Sequence, residues 1–251
     1  MCYSALVKQD LKHLRMTFGP IEVRYQNDFY RGDVRLFPKS KIGGPVLTMN
    51  DSKFIVDSMR FSTFMRSENQ KFKNYKTYNA RIDNLKSWFW QNAFMVKHGL
   101  ISITKFYEWV MVEDLIKAKV VKLSQVEKNF AMELEAKKEK ADNLGKVFKP
   151  SKVDLTPAID RKISIEFAPK EDMEMLAPTI ISQNEAGEFG FAIVTNDPPF
   201  EVARAGHDRC PIFLTREAAK KWLSPHGKTK DEMIEVLSDI IAPVFQHQIA
   251  A

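Results

Sequence analysis

Apolar positions along the chain fall mainly into short alternating or continuous blocks, and these predict strands more often than helices. Residues Cys2 to Val7 read as a short strand. Pro45 to Met49, Phe54 to Phe61, Leu100 to Trp109 and Arg161 to Phe167 read as four more. Leu176 to Ser182 and Phe189 to Asn196 are separated by the turn Asn184-Glu185-Ala186-Gly187-Glu188, which predicts a hairpin. Helical spacing is rarer. Leu11, Leu14 and Phe18 mark a helix stopped by Gly19-Pro20. Trp88, Phe89, Trp90, Phe94 and Met95 predict an apolar helix ending near His98-Gly99. Glu217 to Leu223 and Lys230 to Phe245 are expected to close the chain as helices.

One stretch departs from this pattern. From Val112 to about Leu144, Lys and Glu dominate, while Leu115, Ile116, Leu123, Val126, Phe130 and Leu134 keep a roughly helical period. One or two amphipathic helices, broken near Ser124, are predicted there, and the segment to Pro157 reads as linker. The whole predicts an α+β fold: mixed, mostly antiparallel strands curled into a barrel-like sheet around a core, with flanking helices. A single domain over 1–251 is expected, with 112–160 a helical insertion that leaves the main sheet and returns.

Composition narrows the class. The 251 residues are 44% hydrophobic and 28% charged, enough for a sizeable core. Two cysteines, Cys2 and Cys210, make no disulfide framework and fit a reducing compartment. The sequence holds no run of about 18 apolar residues, so a cytoplasmic protein that does not engage a membrane is expected. The five histidines are scattered, and neither cysteine lies near another ligand in sequence, so no metal and no cofactor are expected. The net charge of +6 favours an acidic partner. Two segments sharpen this. In Tyr25 to Pro45, Tyr25, Phe29, Tyr30 and Phe37 interleave with Arg24, Arg31, Arg35, Lys39 and Lys41, which suits stacking and phosphate contacts on a single strand. Around Phe61 to Tyr78, Arg60, Arg66, Lys71, Lys73 and Lys76 face one acid, Glu68.

Five positions carry candidate chemistry. Once Met1 is removed, Cys2 offers a thiol and an α-amine on adjacent carbons. An aldehyde can condense with the amine, and the thiolate can then close a five-membered thiazolidine, a step favoured by its intramolecularity. With ordinary pKa values of about 7.7–8.0 and about 8.5, both groups have reactive fractions near neutral pH. Glu108 lies between Tyr107 and Trp109, where desolvation would raise its pKa and suit it to proton transfer. His207 sits in a polar loop entering a strand. Asn79 and Arg81 alternate with apolar neighbours, so on an extended segment they point the same way. These residues alone leave three readings open: covalent capture of an aldehyde, an N-terminal-nucleophile amidohydrolase with Cys2 attacking an amide, and a non-catalytic nucleic-acid-binding protein.

Taken in order, Cys2, Asn79-Ala80-Arg81, Phe106-Tyr107-Glu108-Trp109 and Gly206-His207-Asp208-Arg209-Cys210-Pro211 resemble the SRAP (SOS-response-associated peptidase) family of abasic-site processing proteins. The matched segments run from Cys2 to Trp222-Leu223. The resemblance implies binding of single-stranded DNA at an abasic site and a thiazolidine DNA–protein crosslink to the N-terminal Cys. It implies Cys2 as nucleophile and Glu108 as proton carrier in imine formation and ring closure. His207 would be the acid/base on the sugar oxygen and in reversal, and Asn79 would orient the N-terminus or the sugar. Arg81 would hold the neighbouring phosphate, with Arg209 and Arg60 as further DNA contacts. The chain is expected to act as a monomer. It departs from the family pattern in carrying Tyr3-Ser4 where Gly-Arg usually follows the Cys, and Arg60-Phe61-Ser62 where Arg-Trp-Gly is usual.

Overall fold

The computed structural model describes residues 3–24, 32–38, 40–64, 77–91 and 93–250. Cys2, most of the aromatic–basic segment after Tyr25 and the basic residues Arg66, Lys71, Lys73 and Lys76 lie outside the described residues. The chain runs β1 (Ser4–Val7), α1 (Lys12–Phe18), β2 (Ile21–Val23), β3 (Val34–Leu36), β4 (Gly43–Asn50), β5 (Lys53–Phe61), β6 (Asn79–Arg81) and β7 (His98–Met111). Helices α2 (Val112–Lys117) and α3 (Leu123–Asn143) follow, then β8 (Lys162–Pro169), β9 (Met175–Gln183) and β10 (Phe189–Asn196). It closes with α4 (Phe200–Arg204), β11 (Cys210–Pro211), β12 (Phe213–Leu214), α5 (Arg216–Trp222), α6 (Lys230–Val236), β13 (Ile240–Ile241) and β14 (Phe245–Ile249).

β7 is the spine. It has 14 residues, about 46 Å of extended chain, and it takes different partners along its length. Its first half pairs with β9 on one side, and its second half pairs with β8 there. On the other side it meets β4 at Leu47 and then β1. Because β4 pairs with β5, β5 with β10, and β10 with β9, the strands close into a ring. The closure rests on the Leu47–Leu100 bridge, so the ring is not a true barrel. The fold is thus α+β, with a large, mixed, mostly antiparallel sheet.

The sheet is buried on both faces. One face carries Val46, Phe61, Ile101, Ile103, Phe106, Val110, Phe167 and Phe191 and is covered in part by α2 and α3. The opposite face carries Leu47, Val56, Leu100, Ile180 and Val194 and is covered by α1, α5 and α6. On the second face His98 stacks on Trp222 at 3.7 Å, and the Trp222 indole donates to the Gly99 carbonyl.

The register of β7 shifts where it matters. β1 pairs Leu6 with Lys105 but Val7 with Ile103, so Thr104 is an extra residue, a β-bulge. Its hydroxyl donates to the Leu6 carbonyl at 3.2 Å. One extra residue reverses the alternation beyond it. Before the bulge, odd residues Ile101 and Ile103 share a face; after it, even residues Phe106, Glu108 and Val110 occupy that face. Tyr107 and Trp109 therefore turn to the other side.

Three expectations need correction. The described residues between Trp88 and Met95 form no α-helix: i→i+3 bonds such as Trp90 to Ser87 and Val96 to Ala93 make a chain of turns. Met95 has φ +80°, which no helix accepts, and the tighter winding buries Trp90 and Phe94 while leaving Trp88 exposed. The last helix ends at Val236, and Phe245–Ile249 is a strand on the edge of β8. Between β7 and β8 the helices break at 118–122, after α2, and the linker folds back. Lys137 pairs with Asp154 at 2.5 Å, and Arg161 donates to the Thr156 carbonyl at 2.7 Å with its guanidinium over Phe130.

Candidate active site

Glu108 comes to the site by the bulge. Its residue is 1% exposed, between Phe106 and Val110 on the face of the first apolar cluster. Burial pushes its carboxyl pKa up from the usual range, and the hydrogen bond with His207 opposes that shift. His207 arrives from the other direction, in the loop between α4 and β11, and its Nε2 lies 3.0 Å from Glu108 Oε2. Gly206 makes the approach possible. It has φ +83°, and a Cβ there would meet Val110 Cγ1 at 2.9 Å. His207 Nδ1 lies 3.0 Å from the Arg209 carbonyl and 3.3 Å from the Arg209 backbone N–H, so it donates to the first in one tautomer and accepts from the second in the other. Nε2 faces the Glu108 carboxyl directly, so a proton held between them can lie on either group. Such a pair gives or takes a proton with little rearrangement.

The N-terminal strand reaches the same place. The Tyr3 N–H donates to the Tyr107 carbonyl at 3.1 Å, and Ser4 pairs with Tyr107. In sequence Cys2 directly precedes Tyr3, the residue whose backbone is held to Tyr107 next to Glu108. Ser4 is fully buried, and its hydroxyl accepts from Arg35 Nε at 3.0 Å.

Asn79 sits on β6, which pairs in parallel with the end of β10, Asn79 opposite Ile193. Ala80 packs into the second apolar cluster, so Asn79 and Arg81 point to the face that carries Ile193 and Glu108. Asn79 is 8% exposed. Arg81 is held by two carboxylates, Asp83 and Asp197, each at 2.9 Å. Arg209 Nε lies 3.3 Å from Asp208. Arg60 bonds Glu188 at 2.8 Å near Gly190. Arg81 pairs with Thr195 on the same strand, so Arg60 sits about 17 Å from it along β10. The arrangement groups Arg81 with Arg209 near the end of β10 and sets Arg60 apart.

Two features around the site had no reading in the sequence. Cys210 is buried, and burial pushes its thiol well up, with the Glu108 charge adding to the effect. It is a protonated thiol rather than a second nucleophile. On the opposite side of β7, Glu166 accepts from Tyr107 Oη at 2.9 Å, Lys105 Nζ at 2.7 Å and Gln248 Nε2 at 2.9 Å. Burial and this carboxylate push the Tyr107 hydroxyl up to about 12. The signal was the cross-strand pairing of Tyr107 with Glu166, which only the β7–β8 register reveals.

A ring of strands with a buried carboxylate–imidazole pair beside an N-terminal strand defines the class of protein. The chain belongs to the SOS response associated peptidase (SRAP) family, whose model matches residues 1–249. Solved structures agree on the fold. A phage-related protein from Bordetella bronchiseptica, 15% identical, aligns over 99% of this chain and 94% of its own with a TM-score of 0.62. A protein from Bacteroides thetaiotaomicron, 16% identical, covers 100% and 92% with a TM-score of 0.59. A second Bordetella bronchiseptica protein, 14% identical, covers 100% of both chains at 0.58. No curated protein matches the sequence.

Proposed function

We propose that this chain captures an abasic site in single-stranded DNA through Cys2. The α-amine adds to the ring-opened aldehyde, and loss of water gives an imine. The thiol then adds across the C=N bond: sulfur bonds to carbon, and its proton ends on nitrogen. One thiazolidine forms and one water leaves, with no oxidant or reductant. The peptidase of the family name is, in this reading, the release of Met1 that frees the Cys2 amine.

The observation that carries the proposal is the Glu108–His207 pair at 3.0 Å, buried beside the strand that begins two residues after Cys2. Imine formation needs an acid to expel water, and ring closure needs a base for the thiol proton. A buried carboxyl with a raised pKa supplies the first, and the carboxylate left once that proton is given up, beside the His207 imidazole, supplies the second. Asn79, on the same face, would orient the sugar or the amine. Arg81 and Arg209 would exchange a carboxylate for a phosphate, and the gain is modest because each leaves an existing ion pair.

The test is a denaturing gel of the protein with single-stranded DNA carrying one abasic site, beside Cys2→Ala. A shifted band that requires both Cys2 and the abasic site is expected. Its absence, with mass spectrometry showing Met1 removed, would sink the proposal in favour of amide hydrolysis or simple binding.

A further inference from the structure

The bulge that turns Glu108 inward also turns Trp109 outward, and Trp109 has company there. Tyr3 lies between two rings: Phe37, with centroids 6.1 Å apart at 76°, and Trp109, at 5.6 Å and 79°. The three are 36%, 39% and 42% exposed. Phe37 directly follows β3, Tyr3 directly precedes β1 and Trp109 lies on β7, three adjacent strands, at the ends where the reactive segment begins. The Arg35 guanidinium is set behind them, 3.5 Å from the Tyr107 centroid and 5.0 Å from that of Phe37, and tied to Ser4 and Ser164. Tyr3 directly follows Cys2, and Trp109 directly follows Glu108.

We infer that Tyr3, Phe37 and Trp109 form a stacking platform for the bases that flank the reacting sugar, with Arg35 as the cation beside it. The inference rests on the proposed function for its partner and adds the surface on which that partner lies. Exposed rings edge to face, backed by a guanidinium, present both elements a single strand needs: a π-surface for the base and a positive charge for its phosphate. The chain's net charge of +6 agrees. A protein partner is a poor fit. Three half-exposed rings offer far less than the roughly 800 Å² per side of a stable protein interface. Stacking tolerates any base, so the platform favours single strands without choosing a sequence.

The test separates bases from phosphates. Two unreactive oligonucleotides of equal length are titrated by fluorescence anisotropy. One is an intact single strand, and the other has every base replaced by a tetrahydrofuran spacer. The wild-type protein is expected to prefer the base-bearing strand by about 10-fold or more, since each stacked base contributes about 1–3 kcal/mol. Trp109→Ala and Phe37→Ala should each lose about 10-fold on that strand and bind the spacer strand as before, whereas Trp109→Phe should keep most of the preference. Both positions are exposed, and unchanged melting temperatures would show the variants folded. Equal wild-type affinity for the two strands, or a full preference in Trp109→Ala, overturns the platform. Crosslinking to an abasic strand at saturating DNA is read separately. A retained base preference without a crosslink would sink the covalent reading and leave the platform standing. A crosslink without base preference would do the reverse, and no binding to either strand together with no crosslink overturns both.

Discussion

Glu108 holds its place at a cost to the fold. A carboxyl whose folded pKa lies above its unfolded value contributes stability below the unfolded pKa. That contribution is lost as pH rises through the folded one. Replacing Glu108 with Gln removes the ionisation, so the variant should melt higher than wild type at pH 8 and gain less at pH 4, as thermal scans at the two values would show. The same variant should form the crosslink about 10²-fold more slowly, the usual contribution of a positioned acid–base group. Its rate should also lose the decline at alkaline pH that ionisation of Glu108 imposes; single-turnover gels across pH 6–9 check both. Cys210→Ser should crosslink as wild type does, because the buried Cys210 thiol stays protonated; the same gels would show it. The site was half legible in the sequence. Glu108 between two aromatics and His207 before a strand announced themselves by residue type. That Asp197 joins the local Asp83 on Arg81, and that Arg60 lies away from Arg81, depended on pairings between segments more than 100 residues apart.

Among the elements, the junction of β7 with α5 has its own titration. His98 is buried, with Nδ1 2.9 Å from the Trp222 carbonyl and Nε2 accepting the Met95 N–H at 3.4 Å. Those two bonds fix a neutral tautomer, and burial lowers the pKa from 6.5 to about 4. Between these values the unfolded chain binds more protons than the folded one, so stability is full above pH 6.5 and falls as pH drops toward 4. The loss from this residue should approach about 3 kcal/mol. Urea unfolding at pH 7 and pH 4.5 should show it, with a flatter dependence in His98→Phe. The strands β4 and β5 were readable as strands, and β9 and β10 as a hairpin, because turn and alternation are both local. The turns over 85–96 were not. Five large apolar side chains there resemble a helical stripe, and their tight winding is imposed by burying Trp90 and Phe94 against the sheet. β14 was missed because its alternation, from Phe245 to Ile249, is short and its partner β8 lies about 80 residues earlier.

At the scale of the molecule, the ring of strands could be expected as a class but not as an order. Nothing local says that β7 must take β9 and β8 on one side and β4 and β1 on the other. The whole-molecule charge makes a separate prediction. Encounter with a single strand should weaken steeply between 50 and 200 mM salt as counterions are retained, while a crosslink once formed should persist through 1 M salt; anisotropy and denaturing gels measure the two. The Thr104 bulge then ties the chemistry to something other than residue identity. Thr104→Ala keeps the spacing and removes one hydroxyl bond, a loss of about 1 kcal/mol, so crosslinking should survive. Deleting Thr104 leaves every reactive residue in the chain yet exchanges the two sides of β7 beyond Ile103, sending Glu108 to water and Trp109 into the core. The reactive half of this protein is therefore written in the parity of a strand. Along β7, evolution can change letters far more freely than it can change their number.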